Sequence, residues 1–157
     1  MSTATLSLEP ADLKSLVDEI WSSLLAPPPV DADLSAYVGA AMAGYVKISG
    51  GWDGHVVVET SHDGAAAIAS TLFDSPADEL GADDLHDAVG ELANIVGGSV
   101  KSCVDGHSTL SLPWVVSSEE TVATTGGTLT VIQVWLDSHP LIVRVESDLD
   151  GAARLSA

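Results

Sequence analysis

Apolar residues recur at helical spacing early in the chain, at Leu13, Leu16, Val17, Ile20, Trp21, Leu24 and Leu25. Glu9-Pro10 precedes them, with Pro suited to a first helical position, and Pro27-Pro28-Pro29 stops the pattern, so a helix is expected over about residues 10–26. Two strand-like stretches follow, near 40–49 and 52–60, around Ser49-Gly50-Gly51, whose glycines supply the positive φ of a tight hairpin. Residues 63–73 read as a short Ala-rich helix, and Ser75-Pro76 opens an acidic connection to Asp83-Asp84, either of which can cap a longer helix over about 84–103. The last third reads as strand at 107–116, 119–124, 128–136 and 141–147, with breaks at Asp105-Gly106, Gly126-Gly127 and Asp137-Ser138-His139-Pro140. Helices interleaved with antiparallel hairpins predict an α+β (mixed α/β) domain, its helices packed on a mainly antiparallel sheet. One domain spanning 1–157 is expected, with a core over about 36–147 and a frayed tail over 148–157.

The long helix divides sharply by face. At about 100° per residue, Leu85, Val89, Leu92, Val96, Val100 and Cys103 fall on one apolar stripe, while Asp87, Glu91, Asn94, Gly98 and Lys101 fall opposite. Glu91 and Asn94 are three apart and therefore neighbours, placed to engage one external target together. Gly97-Gly98 one turn later costs about 1 kcal/mol per Gly relative to Ala, which room for a close-packed partner would explain. Spacing alone does not make a site, since Glu and Asn on a solvated helix face need no function. A shift of 72 residues also lays 16–24 over 88–96, matching 17/89, 20/92, 24/96 and Glu19/Glu91, a weak sign of duplication.

Charge narrows the partners. The 23 Asp and Glu against 5 Lys and Arg give a formal net charge of −18, a field that repels nucleic-acid phosphates and anionic lipid headgroups. Neither nucleic acid nor membrane is an expected partner, and solubility accounts for much of the acidity. The single Cys103 allows no intrachain disulfide framework, and no basic-then-apolar leader or run of about 20 apolar residues occurs, so a cytoplasmic location is expected.

The string DAVGELANIVGGSVKS at 87–102, followed by Ser111-Leu112-Pro113, resembles the CheX branch of the CheC/CheX/FliY chemotaxis phosphatases. Their hallmark is Glu-x-x-Asn on an exposed helix, read as GELAN, an apolar pair and Gly, with a later Ser-x-Pro. The resemblance follows element order over roughly 40–147, but 87–113 is its specific part. It implies a CheX-like fold and hydrolysis of the aspartyl phosphate on a response-regulator receiver domain, with Asn94 aligning the attacking water and Glu91 pairing with the receiver's lysine. Asp87, Gly98 and Lys101 would border the docked partner. The receiver would bring its own Mg²⁺, so no intrinsic cofactor and no metal ligands are expected. The resemblance also implies a homodimer, which would protect an edge strand. Where relatives with two active helices repeat Glu-x-x-Asn, this chain reads Glu19-Ile20-Trp21-Ser22, so one active site per chain is expected. Two alternatives stand beside the enzyme: a module of the same fold that binds a receiver without catalysis, and an assembly protein, as FliY is linked to the flagellar switch.

Other constellations fail. His55, His62, His86, His107 and His139 lack zinc spacing and read as strand-end or surface residues. Gly97-Gly98-Ser99-Val100-Lys101-Ser102 lacks the glycine before lysine of a phosphate loop and lies inside a helix. Asp78, Glu79, Asp83, Asp84 and Asp87 lack a calcium-loop pattern, no Gly-x-Ser-x-Gly occurs, and Cys103 reads as inert packing.

Overall fold

The computed structural model describes residues 6, 8–24, 29–33, 42–104, 106–117, 127–136 and 138–148. Helix α1 spans Pro10–Ser23, with Pro10 at its first position and Asp12 accepting the Glu9 amide at 3.0 Å. After the two-residue strand β1 (Val30–Asp31) come β2 (Met42–Gly50) and β3 (Gly54–Thr60), joined by the expected hairpin. Gly50 takes φ +127° there, and a side chain would run into the His107 carbonyl, so the turn demands glycine on both counts. Helix α2 (His62–Phe73) starts on Ser61, whose hydroxyl accepts the Gly64 amide at 2.9 Å. A 3₁₀ turn at Ala77–Glu79 leads to α3 (Ala82–Lys101), where Gly81 is the N-cap and Asp84 reaches back to its amide at 2.9 Å. The remaining strands are β4 (Ser108–Leu110), β5 (Trp114–Ser117), β6 (Gly127–Leu136) and β7 (His139–Ser147).

All pairings are antiparallel, in the order β1-β6-β7-β3-β2-β4, with β5 also on β2. The expected α+β architecture of helices on an antiparallel sheet is what forms. Strand alternation sends Val46, Ile48, Val56, Val58, Val143 and Val145 into one core with Leu13, Val17 and Ile20 of α1, Ala65 and Ile68 of α2, and the apolar stripe of α3. The other sheet face keeps a small cluster of Ala43, Tyr45 and Val57, with Trp114 stacked on Tyr45 at 5.4 Å and 8°.

Several expectations change. The strand expected over 107–116 is two strands, because Ser111-Leu112-Pro113 leaves the ladder. The strand expected over 119–124 lies outside the described residues, as does most of the expected tail. Asp148, assigned to that tail, is held: its amide donates to the Asp53 carbonyl at 3.0 Å, and its carboxylate meets His55 Nδ1 at 3.1 Å. Cys103 is exposed rather than on the buried stripe, because α3 stops at Lys101 and the helical phase no longer applies two residues later. Val104 takes the buried place instead. The pairs Val17/Val89 and Ile20/Leu92 are all buried, and Glu19 and Glu91 both face outward, as an alignment of two amphipathic helices requires.

Candidate functional site on the outer face of α3

Helix α3 lies close on β2 because small residues meet at the contact. A Cβ at Gly44 would sit 2.8 Å from the Val89 carbonyl oxygen, and one at Gly97 would sit 2.5 Å from Val46 Cγ2. With Leu85, Val89, Leu92, Val96 and Val100 all buried, the helix cannot roll, and its opposite side is committed to the surface. Glu91 is exposed and Asn94 half-buried, one turn apart, and neither is engaged in a hydrogen bond or ion pair among the described residues. Asp87 is exposed one turn before Glu91. Like charges at i and i+4 cost an isolated helix a few tenths of a kcal/mol, so this pair lowers helix stability while offering two carboxylates to a cation from outside.

Asn94 lies on one flank of the helix together with two glycines and Lys101. Gly90, Asn94, Gly97 and Lys101 lie within an arc of roughly 60° at ~100° per residue. Along that flank runs the segment from Ser108 to Val115, antiparallel to the helix. Lys101 Nζ donates to the Ser108 carbonyl at 3.5 Å; a Cβ at Gly97 would lie 3.1 Å from Leu110 Cδ1; one at Gly90 would lie 3.3 Å from Val115 Cγ2 and 3.6 Å from Pro113 Cβ. Asn94 comes between Gly90 and Gly97, level with Ser111-Leu112. Ser111 anchors this stretch to β2: its amide donates to the Lys47 carbonyl at 2.8 Å, and its hydroxyl accepts the Lys47 amide at 2.8 Å. A hydroxyl replaces one ladder acceptor here, so the chain can leave strand geometry for three residues while β2 keeps its partner.

The result is an open groove of about 400 Å³ between α3 and β5, lined by His86, Asp87, Gly90, Glu91, Pro113, Trp114 and Val115. The structure thus brings Asp87 and Glu91 to one groove, while Asn94 lies one turn further along the helix and is not part of the groove lining. Gly98 is surrounded by open space, with nothing within 4 Å of where a Cβ would be, as room for a partner requires. Gly97 has a different reason to be glycine, namely packing on Val46. Lys101 is half-buried and directed to Ser108, which ties it to the flanking segment. Sequence reasoning missed Gly90, Pro113 and Trp114 as parts of this surface. Ser-x-Pro was the available signal, but its pairing with Lys47, 64 residues away, is a tertiary fact. No group of three or more His, Cys, Asp or Glu among the described residues is placed to hold a metal ion.

The class these features define is an α+β domain in which a helix on an open antiparallel sheet presents a carboxylate and a carboxamide on its outer face. The family model for the chemotaxis phosphatase CheX matches residues 42–134, and the chain belongs to that family. Among solved structures, CheX from Vibrio vulnificus superposes with a TM-score of 0.67 at 13% identity, over 85% of this chain and 92% of that one. The CheX subunit of a CheX–CheY–BeF₃–Mg²⁺ complex from Borrelia burgdorferi gives 0.67 at 14%, over 89% and 98%. FliY from Thermotoga maritima gives 0.56 at 15%, over 92% and 88%. At such identities these likenesses establish the shared fold. No curated protein matches the chain in sequence.

Proposed function

We propose that this protein hydrolyses the aspartyl phosphate of a response-regulator receiver domain at the outer face of α3. The observation that carries this reading is the outward placement of Glu91 beside Asn94, both without partners among the described residues, in a chain of the CheX family. The Borrelia relative is seen bound to CheY with BeF₃ and Mg²⁺, which supports a receiver as the partner and the receiver as the source of the metal.

Phosphoryl transfer demands placement and charge stabilisation more than covalent help from the protein. Asn94 would hold a water by its carboxamide, in line with the bond between phosphorus and the aspartyl oxygen. The water oxygen forms the new P–O bond, the bond to the aspartyl oxygen breaks with its electron pair, and the water's proton passes to a phosphoryl oxygen or to solvent. Mg²⁺ brought by the receiver would supply charge stabilisation. Glu91 pairs with the receiver's lysine, and Asp87 one turn away extends the negative surface. Half-burial limits the directions Asn94 can take, which favours a fixed water position.

The test is phosphate loss from a phosphorylated receiver. Asn94→Ala is expected to slow the catalysed reaction about 10²-fold while retaining binding, the scale for a misplaced reacting group. Glu91→Ala is expected to weaken both binding and turnover. If Asn94→Ala works as fast as the wild type, catalysis is not what this surface does, and a receiver-binding module is the reading that remains.

A further inference from the structure

Of the large apolar residues exposed among the described residues, Leu112 is the most open at 87%. Its position is not that of a chance surface residue. Ser111 is locked to Lys47 by two hydrogen bonds of 2.8 Å, and Pro113 lies over Gly90. The residue between these two fixed points has a defined place, so an apolar side chain is held out into water by its neighbours. The fixed contacts of the flank put it level with Asn94, since Leu110 meets Gly97 and Pro113 meets Gly90. Beside it the groove continues over Pro113 and Val115 to Glu91.

We propose that Leu112, with Pro113, forms an apolar ledge on which the phosphorylated receiver seats, fixing its register over Asn94. This rests on the receiver-phosphatase reading above. A protein partner fits this surface better than a small phosphate ester for two reasons. The carboxylates of Asp87 and Glu91, within a chain of net charge −18, repel a free anion, whereas a protein can bring its phosphate with a neighbouring lysine. A small ester would also leave Leu112 in water, whereas a docked protein covers it, and apolar burial at the centre of an interface is what holds a complex. Leu112 is a positioning residue: it touches the partner and acts on Asn94 only through the docked geometry.

The experiment titrates a receiver domain from the same organism in two forms: loaded with beryllofluoride and Mg²⁺ for binding, and phosphorylated for turnover. Leu112→Ser is expected to raise both the dissociation constant and the half-saturating receiver concentration about ten-fold, with maximal rate changed less than three-fold. Leu112→Met is expected to restore near wild-type affinity, and Asn94→Ala to show the opposite split, bound but slow. If Leu112→Ser matches the wild type while Asn94→Ala is slow, or if Leu112→Ser loses rate without losing affinity, the ledge is overturned and the phosphatase reading stands. A wild-type protein that neither binds nor dephosphorylates receivers overturns both.

Discussion

Gly97 and Gly98 are adjacent and chemically identical, yet they answer to different forces. Gly97 presses on Val46 at a distance that no side chain tolerates, whereas Gly98 opens on empty space. Gly97→Ala is therefore expected to destabilise by about 1–3 kcal/mol, the cost of overpacking a filled core. Gly98→Ala is expected to stabilise by ~0.5–1 kcal/mol, since it removes only the helix penalty of glycine. Denaturant melts of both variants check this, and equal effects of the two would contradict the packing described. Asn94 makes the same point from the other side. Its surface position was readable from helical phase, but its half-buried state was not.

The element that matters most after α3 is the break between β4 and β5. The run between turn signals reads residues 107–116 as one strand, but the ladder on β2 is interrupted over Ser111-Leu112-Pro113. Ser111 makes the break affordable by accepting the Lys47 amide that a continuous strand would have satisfied. Ser111→Ala is expected to cost about 1 kcal/mol in a melt, for one hydrogen bond lost at the surface. It is also expected to loosen the segment beside Asn94, seen as faster amide exchange at Lys47, while exchange in β6 and β7 is unchanged. A variant with wild-type exchange at Lys47 would mean that the serine does not anchor the break.

For the whole molecule, the sheet ends on β1 at one side and on β4 and β5 at the other. We propose that two copies associate, giving a mass near twice 16.1 kDa in light scattering at micromolar concentration; a monomer's mass would reject it. No described helix is long and apolar enough to cross a membrane. The net charge of −18 sets a general repulsion that any partner must offset with its own cations.

The amino-acid pattern by itself determined the helices and most strands to within a few residues, the hairpin at Gly50, the buried and open faces of α3, and the Glu91–Asn94 pair. Each of these follows from periodicity or turn chemistry, which act over at most a few turns of chain. Tertiary structure alone decided that Cys103 is exposed, that Gly97 packs while Gly98 does not, that Leu112 is held out into solvent, and that Pro113 and Val115 line one groove with Glu91. Those facts depend on which strand lies against which helix flank. That is fixed by the pairing of β2 with β4 and β5 across some 60 residues, and no local period carries that information.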